Sequence, residues 1–226
     1  MIKPYYEDAT TKLYLGDCRM IAPSLGRFDL LLTDPPYGIG EARGKNKKRT
    51  NLVEAKDYGI AAWDDKPPAD WVLRMLIDQA KWCAIFGANF FSLPPSSCWL
   101  VWDKDNTGEF ADCELAWTNF PKAVRKFRWR WNGMIQEHGS RSPYKEDRVH
   151  PTQKPRAVMK WAITIAPELP TSIFDPFAGS GTTLLAAKES NIPAVGIEID
   201  ERFCEIAAGR LSQGVLQLDG VEPRGT

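Results

Sequence analysis

The segment from Ser172 to Glu198 constrains the fold of this chain more than any other stretch. Its pattern predicts a strand, a glycine loop, a helix and a second strand in succession. These elements cover residues 172–174, 175–181, 182–190 and 194–197. A unit of this kind is typical of the parallel sheet of an α/β protein.

The glycine loop predicts a site for a nucleoside cofactor. Gly179 and Gly181 let a ligand approach the backbone, and the N-terminus of the following helix favours a carboxylate. Glu198, nineteen residues after Gly179, is placed to bond ribose hydroxyls. Two common alternatives fail, because the loop lacks the lysine of a nucleotide P-loop and Leu184 stands where a dinucleotide fingerprint has its third small residue.

A second motif, Asp34-Pro-Pro-Tyr37, follows the apolar run 28–32, which predicts a buried parallel strand. Two successive prolines fix φ and remove two backbone donors, so this loop offers acceptors and few donors. Beside the ring of Tyr37, such acceptors suit a flat ring that carries an amino group. The alternative is that Asp-Pro-Pro is an ordinary strand ending and that Tyr37 is a core residue.

The N-terminal part predicts a strand over 12–15 and a short helix over 19–25, which makes a β-α-β opening with the strand at 28–32. Asp17 then lies at the carboxyl end of a strand, where α/β sheets bind ligands. The alternative for Asp17 is a helix cap.

The middle of the chain predicts a helix over 67–81 and strands over 83–86 and 98–102. A further strand over 114–117 follows a turn and closes an antiparallel hairpin. At the C-terminus we expect a helix over 202–211 and a loosely ordered tail over 213–226.

Positive charge is local in this chain, since Lys+Arg and Asp+Glu both number 29. Residues 41–50 hold five basic side chains against one acid, and residues 121–156 hold ten against three. Because the first segment directly follows the Asp34 motif, we expect it to be a mobile cationic loop that contacts phosphates. A solvated surface is the alternative.

Aromatic and basic residues alternate from Phe127 to Trp131, which predicts a strand with aromatics on one face and arginines on the other. Such a face could serve nucleic-acid binding. The alternative is an edge strand with its aromatics in the core and its arginines in solvent.

At 226 residues the chain is long enough for one domain with insertions. Its five cysteines lie far apart without a C-x-x-C pair, which argues against a disulfide framework or a zinc site and fits the reducing cytoplasm. No apolar run reaches membrane-spanning length, so we expect a soluble protein without a membrane partner.

Three motifs together resemble the amino-group DNA methyltransferases, which use S-adenosyl-L-methionine: Asp34-Pro-Pro-Tyr37, His150-Pro-Thr-Gln-Lys-Pro155 and Asp175-Pro-Phe-Ala-Gly-Ser-Gly-Thr-Thr183. Their order is that of the circularly permuted beta arrangement. The resemblance covers essentially the whole chain. It implies a three-layer, Rossmann-like α/β fold with a mostly parallel seven-stranded sheet and an antiparallel hairpin, in which the N-terminal strand lies beside the strand ending at Glu198.

The resemblance also implies roles for individual residues. The catalytic residues would be Asp34, Pro35, Pro36 and Tyr37. The cofactor would contact Asp17, Cys18, Thr152, Lys154, Asp175, Pro176, Phe177, Gly179, Ser180, Gly181, Thr182 and Glu198. DNA would contact Arg43, Lys45, Lys47, Lys48, Arg49, Arg128, Arg130, Arg141 and Lys145, in the insertions 38–66 and 119–149 of a single domain 1–226. No metal is implied.

The implied activity is methylation of adenine N6 in double-stranded DNA, by a monomer or a homodimer. Methylation at carbon 5 of cytosine needs a cysteine nucleophile in a Pro-Cys pair, which this chain lacks. Cytosine N4 stays open, although that subgroup more often has Ser at the position of Asp34. An inactive DNA-binding module of the same fold is the alternative of another class, and it would be expected to have lost residues from these motifs.

Overall fold

The structure is a computed structural model that describes residues 2–38, 66–106, 111–132, 135–137, 146, 149 and 153–213. Within these residues the chain forms eleven strands and five α-helices. The strands are β1 (Tyr6–Glu7), β2 (Thr11–Leu15), β3 (Phe28–Thr33), β4 (Ala80–Phe86), β5 (Trp99–Asp103), β6 (Cys113–Thr118), β7 (Arg125–Arg128), β8 (Trp131–Asn132), β9 (Ile135–Gln136), β10 (Ile173–Asp175) and β11 (Ala194–Glu198). The helices are α1 (Cys18–Ile21), α2 (Asp70–Asp78), α3 (Arg156–Ile165), α4 (Thr182–Glu189) and α5 (Glu201–Ser212).

Nine of these strands form one sheet in the order β1-β2-β11-β10-β3-β4-β6-β5-β7. The five strands from β2 to β4 in this order are parallel, while β6 runs antiparallel to both β4 and β5. The predicted α/β fold with a mostly parallel sheet and an antiparallel hairpin is confirmed. The seven expected strands are extended at the two edges by the short strands β1 and β7.

The pairing of β2 with β11 brings an N-terminal strand beside a C-terminal one. The strands are parallel and in register from Thr11 opposite Ala194 to Leu15 opposite Glu198. Beyond the last pair, the backbone N–H of Gly16 donates to the carbonyl of Glu198 at 2.8 Å. The expectation that the N-terminal strand lies beside the strand ending at Glu198 is confirmed.

Strand β3 is buried at every residue except Asp29 because helices cover both faces of the sheet. Leu30 and Leu32 are fully buried in the cluster that includes α3, α4 and α5. Leu31 points to the opposite face and is fully buried in the cluster that includes α1 and α2. The alternation produces three layers, helix, sheet and helix, with the core on both sides of the sheet.

The predicted helix over 67–81 is wrong at both ends, since α2 covers Asp70–Asp78. Pro67 and Pro68 precede the helix. Ala80 belongs to β4 and pairs with Phe28 of β3, so tertiary pairing overrides the local helical pattern. Helix α3 begins directly after Pro155, which fits the alternative for residues 150–155, a proline-bounded helix entry, and its buried residues Val158, Met159, Ala162 and Ile163 follow helical spacing.

The predicted strand over 127–131 is also wrong in extent, because β7 ends at Arg128 and Trp131 begins β8. The alternative of an edge strand with aromatics toward the core fits better. The ring of Phe127 stacks on Trp129 at 5.8 Å and on Trp161 at 5.2 Å between centroids. Trp131 is buried.

Within the described residues, no helix is long and apolar enough to cross a membrane. The expected tail lies outside the described residues from 214 onward.

The packing of α4 on β11 leaves no room for a side chain at Gly196. A Cβ there would lie 2.7 Å from a side-chain carbon of Leu184 and 3.1 Å from the Cβ of Ala178. We expect Gly196→Ala to lower the free energy of unfolding by about 1–3 kcal/mol. The control is Gly209→Ala in α5, where nothing lies within 4 Å and alanine should raise stability by roughly 0.5–1 kcal/mol. Urea unfolding of both variants checks this, and a Gly196→Ala protein as stable as the wild type would contradict the packing.

Candidate active site

Four carboxylates form a row at the carboxyl edge of the sheet. Asp17, Glu198, Asp175 and Asp34 end or follow β2, β11, β10 and β3, which are neighbours in that order. With neighbouring strands about 4.8 Å apart, the row spans roughly 14 Å. The chain leaves β10 toward one face of the sheet and leaves β3 toward the opposite face. A change of face between neighbouring strands opens a crevice that ligands occupy.

A cavity of about 450 Å³ lies along this row and is lined by all four carboxylates. Its size falls within the roughly 300–1,000 Å³ of small-molecule sites. The predicted cofactor residues that line it are Asp17, Cys18, Lys154, Asp175, Pro176, Phe177, Gly179, Ser180, Thr182 and Glu198. Asp34 and Pro36 line it as well, whereas Pro35, Tyr37 and Gly181 do not. Thr152 lies outside the described residues.

Glu198 fixes the glycine loop at one end of the cavity. Its Oε2 accepts the backbone N–H of Gly179 at 2.7 Å, and its Oε1 accepts that of Asp200 at 2.8 Å. Burial raises the pKa of Glu198 above its ordinary value, although these two hydrogen bonds oppose the shift. Glu198 lines the cavity, and a carboxylate has about four lone-pair sites, so it can accept further donors from a ligand there.

Gly181 packs against α5 and does not line the cavity, so the ligand approach predicted for it stays a prediction. Its φ of +79° favours glycine, and a Cβ there would lie 2.9 Å from the Cβ of Ala207 in α5. Gly181 is the N-cap of α4 and has no side chain that could accept a hydrogen bond from the helix. The first backbone N–H groups of α4 are therefore not capped by that residue.

Asp17 is the N-cap of α1, which is the alternative that its sequence position allowed, and its ligand role stays a prediction. Its carboxylate caps α1 by accepting the backbone N–H of Arg19 at 2.9 Å, and it forms an ion pair with the Arg19 guanidinium. The hydrogen bond from that guanidinium lowers the pKa of Asp17. Asp17 also lines the cavity, so its ionised carboxylate faces any ligand there.

Asp175 ties the middle of the row together. Its Oδ1 accepts the Thr33 hydroxyl at 2.7 Å and the backbone N–H of Phe177 at 3.1 Å. Burial raises the pKa of Asp175 to about 6. The contact with Thr33 fixes the spacing between the glycine loop and the Asp34 loop.

Asp34 lies at the centre of a buried charge cluster. Its Oδ1 accepts the Tyr37 hydroxyl at 2.5 Å, and its Oδ2 binds the Lys154 ammonium at 2.5 Å. The same ammonium lies 3.0 Å from Oε2 of Glu114, and Glu114 also pairs with Lys104. Only 6% of the Lys154 side chain is exposed, so the ammonium depends on these carboxylates for its charge partners.

The cluster sets the protonation of its members. Burial and the neighbouring Glu114 raise the pKa of Asp34 above its ordinary value, against the opposing effect of Lys154. Burial also disfavours the charge of Glu114, but Lys154 and Lys104 lower its pKa to about 2. Burial opposes the charge of Lys154 too, yet Asp34 and Glu114 raise its pKa well above the ordinary value. Asp34 is therefore the more basic of the two carboxylates.

Sequence reasoning missed Glu114 and Lys104, because neither belongs to a recognisable motif. Glu114 lies on β6 opposite Trp102 of β5, and Lys104 follows β5 directly. The alignment of the hairpin brings both to the Asp34 motif. Lys154 was assigned to the cofactor, and it does line the cavity, but its bond to Asp34 was not predicted.

Other side chains already cover the ring of Tyr37. Phe90 stacks on it with centroids 5.0 Å apart and planes 17° apart, and Phe91 meets it edge-on at 6.2 Å. A Cβ at Gly87 would lie 1.9 Å from a Tyr37 ring carbon, so glycine is required there. Phe90 therefore occupies a face of the Tyr37 ring, as the core-residue alternative expects, and stacking of a base on that ring stays a prediction.

Of the predicted DNA-binding residues, the structure describes Arg128 and Arg130. Arg128 is exposed and Arg130 is half-buried, and both bind the carboxylate of Asp105, at 2.7 Å in the case of Arg128. Their charge is therefore partly neutralised. The others lie outside the described residues: Arg43, Lys45, Lys47, Lys48, Arg49, Arg141 and Lys145.

Comparison with known proteins points to one family. Residues 88–209 match the N6_N4_Mtase family model, described as DNA methylase. The chain is 33% identical to the type II methyltransferase M2.LlaDCHI of Lactococcus lactis subsp. cremoris, over 95% of this chain and 94% of that protein.

Two solved structures share the fold. One is a complex of M1.HpyAVI with SAM, which has a TM-score of 0.53 and 23% identity over 88% of this chain and 99% of that one. The other is the cytosine-N4-specific PvuII DNA methyltransferase, which has a TM-score of 0.59 and 15% identity over 95% of this chain and 90% of that one.

Lys154 should contribute strongly to stability, because Lys154→Met leaves Asp34 and Glu114 facing each other without the ammonium between them. We expect a loss of roughly 3–5 kcal/mol in the free energy of unfolding. Lys81→Met is the matched control, since it breaks an exposed ion pair with Glu168 and should cost about 0–1 kcal/mol. Urea unfolding measures both, and equal losses would contradict the buried cluster.

Proposed function

Because this chain belongs to the N6/N4 DNA methylase family, we propose that it transfers a methyl group from S-adenosyl-L-methionine to the N6 amino group of an adenine flipped out of double-stranded DNA. The observation that carries the proposal is the position of Asp34. It lines the cavity and presents a buried carboxylate of raised pKa at one end of the carboxylate row.

The residues around the cavity suit the proposed cofactor. Glu198 and Asp17 would accept hydrogen bonds from the nucleoside, and the N-terminus of α4 would face the methionine carboxylate. Asp175 lies between these two ends. When bound, S-adenosyl-L-methionine supplies a methyl group that its positively charged sulfur makes electrophilic.

Asp34 would orient the attacking nitrogen. The lone pair of an aromatic amine is delocalised into its ring, so the amine is a poor nucleophile. An Asp34 oxygen and the Pro35 carbonyl would each accept one amino hydrogen and so steer the lone pair toward the methyl group. The amine would supply the electron pair of the new N–C bond and lose one proton, while the cofactor would supply the methyl group and keep the electrons of the bond that held it. Asp34 can take that proton and pass it to solvent because its pKa is raised.

Tyr37 would stack on the flipped base and offset part of the cost of unstacking it. Since Phe90 lies on the Tyr37 ring in this structure, base entry requires Phe90 to move off that ring. Phe90 is 44% exposed and lies at the end of a short 3-10 turn, Ala88–Phe90, which leaves it room to do so.

Two further parts of the proposal concern DNA. We propose that residues 1–226 form a single methyltransferase domain and that the segments 38–66 and 119–149 form the DNA-binding cleft. The clustering of positive charge in these segments of a neutral chain supports this. Arg128 and Arg130 would exchange Asp105 for DNA phosphates.

Cytosine N4 is the second candidate, since it is also an exocyclic amino group and the cytosine-N4-specific PvuII enzyme shares the fold. Asp34 favours adenine, because the cytosine subgroup more often has Ser at that position. Nucleoside mass spectrometry of DNA treated with the protein and methyl-labelled cofactor tests the choice. We expect labelled N6-methyladenine, whereas labelled N4-methylcytosine would overturn the base assignment and no label would favour the inactive module.

Replacing Asp34 tests the mechanism directly. Asp34→Asn keeps the shape but exchanges one acceptor oxygen for a donor, so methyl transfer should slow by roughly 10²–10⁴-fold. Calorimetry should give an unchanged affinity for S-adenosyl-L-methionine, because the glycine loop and Glu198 remain. Glu168→Gln, the same change in an exposed ion pair, is the control and should leave both quantities unchanged. Near-native transfer by Asp34→Asn would contradict the mechanism.

A further inference from the structure

The Lys154 ammonium stands where the target amino group must bind. It lies 2.5 Å from Oδ2 of Asp34, while the Tyr37 hydroxyl holds Oδ1. If Oδ2 of Asp34 accepted both the Lys154 ammonium and the target amino group, the ammonium would still lie beside the nitrogen on which positive charge develops during methyl transfer. It would also weaken Asp34 as an acceptor. Lys154 therefore has to leave Asp34 for the reaction proposed above.

A buried ammonium can leave one carboxylate only if another one holds it. Glu114 fills this requirement, since its Oε2 lies 3.0 Å from the same Nζ atom on the β6 side of the cluster. Lys104 pairs with Oε1 of Glu114 and so fixes this carboxylate from the other side. Lys154 can thus shift between two carboxylates without passing through solvent.

We propose that Glu114 is a positioning residue, which holds the Lys154 ammonium off Asp34 while the target amino group occupies it. This inference rests on the proposed function, because it concerns the step at which that amino group binds. Asp34 and Glu114 face two ammonium groups, those of Lys154 and Lys104, so the exchange leaves the net charge of the cluster unchanged. Asp34 regains its acceptor capacity only after the exchange.

The test compares single-turnover methyl transfer to DNA by the wild type, Glu114→Gln and the double variant Glu114→Gln/Lys154→Met. All reactions use saturating S-adenosyl-L-methionine, whose Kd is measured for each protein by calorimetry. We expect Glu114→Gln to slow transfer by roughly tenfold or more, with an unchanged Kd, because Lys154 then stays on Asp34. Removing the ammonium as well should make the double variant faster than Glu114→Gln. A purely structural role for Glu114 gives no such rescue.

Transfer by Glu114→Gln within about twofold of the wild type, or a double variant no faster than Glu114→Gln, would overturn the inference. If Glu114→Gln does not fold, Glu114→Asp replaces it, since it keeps the charge but withdraws the carboxylate by one methylene. The Glu114→Asp variant should also slow transfer, and adding Lys154→Met should restore it. A wild-type rate in Glu114→Asp, or no rescue by Lys154→Met, would overturn the inference. Failure of the proposed function is distinguishable, because the wild type itself would then transfer no methyl group.

Discussion

The parallel alignment of five neighbouring strands is the constraint on which the site depends. Parallel strands place all their carboxyl ends at one edge of the sheet, so carboxylates from distant parts of the chain converge there. The register that pairs Leu15 with Glu198 is decisive, because it brings the N-terminal strand to the C-terminal glycine loop. Asp17 and Glu198 face one cavity for that reason, although 180 residues separate them in the chain.

Local patterns were enough to predict the loops that line the cavity, whereas the pairing of the N-terminal strand with the strand ending at Glu198 was implied by the family resemblance. The glycine loop, the Asp34 loop and the strand before Asp17 each carry their own pattern, and each ends at the predicted edge. Glu114 and Lys104 could not be predicted in this way. Their position depends on how the β5–β6 hairpin aligns beside β4, which is a property of tertiary packing and leaves no local signal.

Residue type alone does not show which side chains already have a tertiary partner. The ring of Tyr37 suits stacking on a base, but Phe90 from the turn after β4 already lies on it. Arg128 and Arg130 suit phosphate contacts, but Asp105 already pairs with both. For each of these side chains the residue type predicts what it can bind. Whether the side chain is available for binding depends on a partner from another element of the chain.

In the proposed function, S-adenosyl-L-methionine binds to the carboxylate row through Glu198. Calorimetric titration of the cofactor into the wild type, Glu198→Ala and the surface control Glu168→Ala tests it most directly. We expect one site per chain in the wild type and in Glu168→Ala, and binding weakened by roughly tenfold or more in Glu198→Ala, which loses the acceptor for the ribose hydroxyls. No binding by the wild type, or equal affinity in all three proteins, would contradict it.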